Sequence, residues 1–218
     1  MSWTFSRDAI RAFRFVRCDF DATTGVARLV YAFDDGPALV ETITLPGAPF
    51  VLSGERAAAA QRALRLLHLL AGVSYYKAAV PDEIVIEGDP IDAATSALLE
   101  SFYLNGLGEF AYRNGMHLHG RIHFPHPNPS PDGGGTQGED AAPAPATGLE
   151  RHALVAIGGG KDSLVSIEAL RSIGVAQTVT WIGGSQLIKA CAERTGLPTL
   201  NIGRALAPEL FEFNRQGA

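Results

Sequence analysis

The sequence predicts an α/β protein: an N-terminal α+β domain, then the first part of a parallel-sheet domain. Three observations carry this. Residues 11–46 alternate apolar and polar side chains between turn signals, as a β-meander does. Residues 151–202 alternate buried-strand runs with helical runs, which implies a parallel sheet with right-handed crossovers. Between them, residues 127–150 hold five prolines and five glycines in 24 positions and no aromatic side chain, the composition of a linker. The expected organisation is therefore 1–126, 127–150 and 151–218.

In the first part, Phe13, Phe15, Cys18 and Phe20 interleave imperfectly with Arg14, Arg17 and Asp19, while Leu29, Tyr31 and Phe33 alternate cleanly. Turns are expected at Thr24-Gly25 and Asp34-Asp35-Gly36-Pro37, and a third run spans Val40 to Leu45. Residues 55–71 repeat Ala60, Ala63, Leu64, Leu67 and Leu70 at helical spacing, with Gln61, Arg65 and His68 on the solvent side and Gly72 as the stop. Ile84-Val85-Ile86 reads as a short strand. Asp89-Pro90 reads as the cap and first position of a helix whose apolar stripe is Ala94, Leu98, Leu99 and Phe102. His117, His119 and His123 fall on one side of an expected strand with Arg121 among them. That pattern is open between a polar face, an anion surface and a metal site.

Beyond the linker, Ala153 to Ile157 is a buried strand, and a helix runs from Ser163 to about Ile173. Val175–Ile182 and Leu197–Ile202 are strands flanking a helix over Ser185–Thr195, with Cys191 on its apolar side. A doubly wound nucleotide domain normally has five or more strands, and residues 151–218 supply three. The chain therefore reads as the front part of a longer enzyme, or as one whose sheet a second chain completes.

Composition limits the function classes. The 218 residues are 46% hydrophobic and 19% charged, enough to bury a core. The net charge of −5 argues against a nucleic-acid partner. Cys18 and Cys191 lie too far apart in sequence to suggest a disulfide framework, which fits a reducing compartment. The N-terminus lacks an apolar signal core, and no apolar run approaches the ~20 residues of a membrane span. The simplest reading is a cytoplasmic protein without a membrane segment.

The chemistry concentrates in Gly158-Gly159-Gly160-Lys161-Asp162-Ser163. A strand, a glycine turn and a helix start make an anion pocket, because glycine admits close backbone approach and the helix start offers free N–H groups. The phosphate-binding loop of Walker type would need a glycine where Val155 stands and a hydroxyl where Asp162 stands. The dinucleotide fingerprint would need a glycine at Ser163. What remains resembles the PP-loop of ATP pyrophosphatases, Ser-Gly-Gly-x-Asp-Ser, with Gly158 in place of the first serine.

Together with Phe13–Leu45, Gly72-Val73-Ser74-Tyr75-Tyr76-Lys77 and Leu104-Asn105-Gly106-Leu107-Gly108-Glu109-Phe110, this loop resembles the UDP-N-acetyl-α-D-muramoyl-L-alanyl-L-glutamate epimerase family. The resemblance implies an enzyme of peptidoglycan precursor synthesis that inverts the terminal L-Glu of UDP-MurNAc-L-Ala-L-Glu. It also implies use of ATP and Mg²⁺, with release of AMP and pyrophosphate. Gly158, Gly159, Gly160, Lys161, Asp162 and Ser163 would then hold the ATP phosphates, with Asp162 on the metal. Tyr75, Lys77, Asn105 and Glu109 are the candidate substrate contacts; the epimerising bases have no assignment. Another adenylating PP-loop enzyme, making amides or modifying tRNA, and a non-catalytic nucleotide-binding subunit remain as alternatives.

Overall fold

β1 (Ala12–Asp21), β2 (Val26–Phe33) and β3 (Leu39–Thr44) form the predicted antiparallel meander in the computed structural model, which describes residues 3–127 and 148–216. The first reversal needs a glycine: Gly25 has φ +73, and a Cβ there would lie 2.4 Å from the Leu45 carbonyl oxygen. At the second, Asp34 accepts hydrogen bonds from the Arg11 and Ala12 amides at 3.1 and 2.8 Å. The imperfect alternation of β1 has a cause. Its register shifts between Phe15 and Arg17, and this bulge keeps Phe13, Phe15, Cys18 and Phe20 opposite Phe33, Tyr31, Leu29 and Ala27, on one face. β4 (Glu83–Ile86) lies parallel to β1 on its other edge.

α1 (Gly54–Ala71) covers that face, but not with the expected stripe. Its buried residues are Leu64, His68 and Leu69, so the placement of His68 on the solvent side is corrected. Polarity alone misplaces this residue. A neutral imidazole has one N–H to satisfy, and Nε2 lies 3.0 Å from the Val30 carbonyl oxygen, between the rings of Phe15 and Tyr31. Burial disfavours the charged imidazolium and lowers its pKa to about 4. Between that value and 6.5 the unfolded chain binds the proton that the folded chain refuses. Stability should therefore be complete above pH 6.5 and fall as pH drops toward 4, by roughly 3 kcal/mol. Urea titrations of wild type and His68→Gln across that window test this; parallel pH profiles would refute it.

Gly72 does not stop α1 as a left-handed cap. It is right-handed helical (φ −55, ψ −22), and α2 (Val73–Tyr76) follows directly. Its reason for being glycine is space: a Cβ would sit 2.4 Å from Phe15 Cε1 and 2.9 Å from the Tyr103 hydroxyl.

α3 (Ala93–Gly106) starts later than Asp89-Pro90 suggested. Asp92 is its cap, accepting from the Thr95 amide at 2.6 Å, and this bond lowers the Asp92 pKa. The buried face is Ser96, Leu99 and Tyr103, while Leu98 and Phe102 are exposed. Two polar groups turn inward because each finds a carbonyl: Ser96 Oγ donates to Phe124 O at 2.8 Å and Tyr103 Oη to Leu69 O at 2.7 Å. α4 (Gly108–Arg113) follows after the break at Leu107.

The expected histidine strand is absent: residues 117–123 pass through turns and extended chain, with Gly120 at φ +75. Leu118, Ile122 and Phe124 are buried, so the in-out alternation is right, but no ladder forms. Arg121 pairs with Asp82 at 2.8 Å, and among the described residues no group of three or more His, Cys, Asp or Glu side chains is placed to hold a metal.

The second part follows the predicted alternation: β5 (Ala153–Ala156), α5 (Lys161–Ser172), β6 (Gln177–Ile182), α6 (Gln186–Arg194), β7 (Thr199–Ala205) and α7 (Pro208–Arg215). The three strands are parallel. β7 also pairs antiparallel with β3, Ile43 opposite Arg204, giving one seven-stranded mixed sheet in the order β4-β1-β2-β3-β7-β6-β5. The large core lies around the meander and includes Leu210 and Phe213 of α7, whose ring stacks on Phe5 at 4.2 Å. A smaller core joins Val155, Val179 and Trp181 to Ile167 of α5 and Ala192 of α6. The ladder and the large core therefore both cross residue 151, where a domain boundary was expected. The linker prediction falls largely outside the described residues. Among the described residues no helix is long and apolar enough to cross a membrane.

Candidate functional site

Two features converge on the carboxyl ends of the parallel strands, where open α/β sheets bind their ligands. The first is the glycine loop. β5 ends at Ala156, Ile157 is buried, and Gly158–Gly160 turn the chain into α5 at Lys161. Gly159 has φ +85, a conformation that side chains disfavour, and a Cβ at any of the three glycines would meet no atom within 4 Å. The space above the loop is thus open to a ligand. Ser163 Oγ donates to the Gly160 carbonyl at 2.9 Å, which ties the turn to the first turn of α5. Lys161 and Asp162 are exposed, with no ion pair to another described residue. Asp162 sits in the first turn of the twelve-residue α5, where free amides and the helix dipole favour anions.

The second feature is a pair of adjoining cavities. One, of about 530 Å³, is lined by Val73, Ser74, Lys77, Phe102, Glu109 and Arg113. The other, of about 260 Å³, shares Val73, Ser74 and Phe102 and reaches Glu41, Ile182 and Arg204. Arg204 lines the smaller one and reaches Ser74, which both share. Its Nε is 2.6 Å from Glu41 Oε1 and its Nη2 is 3.0 Å from Ser74 Oγ. Glu41 is fully buried, and its Oε2 has no hydrogen-bond partner among the described residues. Ile182, the last residue of β6, brings this wall to the same end of the sheet as the loop after β5.

The structure sorts the sequence-predicted site residues. Gly158, Gly159, Gly160, Lys161, Asp162 and Ser163 form the expected strand-turn-helix start. Lys77 and Glu109 come together on one cavity, with Glu109 held by Arg113 at 3.0 Å. Asn105 is elsewhere engaged, donating to the Ser101 carbonyl at 2.8 Å. Tyr75 is corrected to a core residue: it has no exposed surface, stacks on Tyr31 and accepts from the Ala207 amide at 2.9 Å. Burial raises its pKa, as expected for a core phenol. Sequence reasoning missed Glu41, Ser74 and Arg204. A signal existed for Glu41, since Leu39, Glu41 and Ile43 alternate onto the core face of β3.

A mixed sheet with parallel βα units and a glycine loop at the end of a parallel strand places the chain in the α/β class. The family follows from comparison: residues 4–218 match the model of the MurL N-terminal domain, and the chain belongs to that family. It is 68% identical over 214 residues to a Xanthomonas oryzae pv. oryzae protein named UDP-N-acetyl-alpha-D-muramoyl-L-alanyl-L-glutamate epimerase, covering 98% of this chain and 45% of that one. Proteins of the same name from Salinispora tropica and a Micromonospora species are 38% and 37% identical, each over 95% of this chain and 44% and 45% of their own lengths. The chain thus spans a little under half the length of these relatives. No solved structure matches it.

Proposed function

We propose that this chain supplies the ATP loop and part of the substrate cavity of an epimerase that inverts the terminal L-Glu of UDP-MurNAc-L-Ala-L-Glu. The observation that carries the reading is the 68% identity, over nearly the whole chain, to a relative of that name. The strand order supports the placement of the nucleotide. β7, β6 and β5 lie in the order third, second, first, and in doubly wound sheets the order reverses beside the first strand, where ligands bind. β5 is the edge of this sheet, so a further parallel strand added beyond β5 would put the loop at that point.

The chemistry explains why such an enzyme would consume ATP. A free carboxylate makes the neighbouring C–H very weakly acidic, because deprotonation sets a second negative charge beside the first. Attack of a substrate carboxylate oxygen on the α-phosphorus of ATP expels pyrophosphate and leaves an acyl-adenylate, in which the carboxyl group itself no longer carries a charge. A base then removes the α-proton, reprotonation on the opposite face inverts the centre, and water releases AMP and the product. The amides of Gly159 and Gly160, with Ser163, would hold the leaving pyrophosphate, and Lys161 would offset its charge. Asp162 fits Mg²⁺ as a single exposed carboxylate beside phosphate oxygens, and the ion would neutralise charge there. In the cavities, Lys77 and Arg204 suit the carboxylates of a terminal glutamate, and Ser74 can bridge to its peptide.

The test is incubation with UDP-MurNAc-L-Ala-L-Glu, ATP and Mg²⁺ in deuterated water, with this chain and with a relative of full length. Deuterium at the α-carbon together with AMP is the expected result for the whole enzyme. AMP without deuterium would point to another adenylating enzyme. ATP binding by both proteins with no AMP from either would identify a nucleotide-binding subunit instead.

A further inference from the structure

The three parallel strands are covered on one face only. Val155 stands opposite Val179, and with Ile157 and Trp181 they form the face on which Ile167 of α5 and Ala192 of α6 both pack. The alternate residues make the other face: Leu154 opposite Thr178, Ala156 opposite Thr180, and Ile182 opposite Ile202. Leu154 and Ile182 are each 57% exposed there, and Ala156 is exposed as well. Parallel sheets are built with both faces covered. Leu67 of α1 and Phe102 of α3 line the smaller cavity together with Ile182, so these helices border the bare area without covering it.

The edge is open too. β5 is the outermost strand. The Ala153 and Ile157 amides donate to the Ala176 and Thr180 carbonyls, each at 2.8 Å, so the odd-numbered residues bond toward β6. The N–H and C=O groups of Leu154 and Ala156 therefore point to the free side. The strand, Ala-Leu-Val-Ala, holds no charge, proline or bulge, the features that keep an edge unpaired.

Handedness joins the two features. From β5 to β6 to β7, right-handed crossovers put both helices on one face. A parallel strand beyond β5 is reached by moving the opposite way along the sheet, so its crossover helix must fall on the other face. One strand with its helix thus fits the open edge and the bare face together. The matched family model is an N-terminal domain, and this chain covers 45% of its Xanthomonas relative, so more than half of that protein is left to provide them.

We propose that the β5 edge and the face of Leu154, Ala156 and Ile182 dock the C-terminal region of the longer proteins of this family. Docking uses one parallel strand beside β5 and one helix whose apolar stripe lies over that face. The helix abuts Leu67 and Phe102 and so also walls the smaller cavity. The inference rests on sheet geometry and does not require the epimerase reading.

Residue-resolved hydrogen exchange on this chain and on the full-length Xanthomonas relative tests it. In this chain the Leu154 and Ala156 amides are expected to exchange freely, while those of Val155 and Ile157 are protected by β6. In the relative the two outward amides of the matching strand should slow at least about 100-fold. Charge placed on the face gives a second reading. Leu154→Glu/Ile182→Glu should lower the urea midpoint of this chain by less than about 0.5 M, and the matching change in the relative by more than about 1 M, because there the carboxylates lie under the helix. Outward amides equally fast in both proteins, or equal midpoint shifts, would overturn the proposal. So would outward amides already protected in this chain with a dimer mass in light scattering, which assigns the edge to a second copy. Failure of the epimerase reading registers separately, in the deuterium experiment, and leaves the exchange result standing.

Discussion

Replacing Arg204 with alanine is expected to destabilise the protein by about 3 kcal/mol, the low end of the range for breaking a buried ion pair. Glu41 has no exposed surface, so its carboxylate cannot turn to water when the guanidinium 2.6 Å away is removed. The low end applies because the Arg204 side chain keeps 30% of its surface exposed and some solvent can follow the truncation. The pair also couples the two halves of the sheet, since Arg204 sits on β7 opposite Ile43 of β3. The partner substitution separates charge from packing. In Glu41→Leu/Arg204→Leu neither charge remains, so most of the loss should be recovered, and a double-mutant cycle by chemical denaturation measures the coupling. A loss below about 1 kcal/mol for Arg204→Ala would mean that the pair behaves as a surface bridge. The same change removes the cation that lines the smaller cavity, so a fall in substrate affinity should survive conditions that restore stability.

The strands were legible because alternation and turn chemistry agree, as at Gly25 and Asp34, and the βα repeats were legible because strand and helix runs alternate between glycines such as Gly174 and Gly196. The faces of helices were less so. For α1 hydropathy put His68 outside, and for α3 it gave a stripe of Ala94, Leu98, Leu99 and Phe102, yet His68, Ser96 and Tyr103 are each buried with a polar atom on a carbonyl. Pattern reasoning counts a polar atom as a cost and cannot see the acceptor that tertiary packing brings to it. The apolar residues displaced by this rotation, Leu67, Leu98 and Phe102, turn to the surface, and Leu67 and Phe102 line the cavities instead.

The loop itself could be read locally, since its chemistry lies in six consecutive residues. The cavities could not. Ser74 and Arg204 are 130 positions apart and meet only because β7 returns to β3, a pairing that no short-range pattern encodes. Tyr75 failed as a substrate contact for a related reason. Its neighbours Ser74 and Lys77 face the cavity, but on a four-residue helix the intervening side chain points the other way, into the core.

Gly159→Val should cost the fold little and the nucleotide much, and that contrast distinguishes a binding loop from a plain turn. In the folded chain a Cβ at this position meets no atom within 4 Å, so the main stability cost is the backbone strain at φ +85, about 1–2 kcal/mol. A branched side chain there projects into the open space above the α5 start, where phosphate oxygens must approach the amides of Gly159 and Gly160. Displacing them by even an ångström loses several charge-assisted hydrogen bonds together, so ATP affinity should fall about 100-fold or more, some 2.7 kcal/mol. Gly174, at φ +68 after α5, is the matched control: Gly174→Val carries similar strain and equally open surroundings, far along the helix from the loop. Calorimetric titration with ATP and Mg²⁺, beside urea melts of both variants, reads the two quantities independently. If both variants lose stability alike and neither loses affinity, the six-residue loop binds no phosphate. If Gly159→Val alone loses affinity, the strained glycine is there to admit the nucleotide, and Asp162→Asn should then weaken the Mg²⁺ dependence of binding without altering the melt.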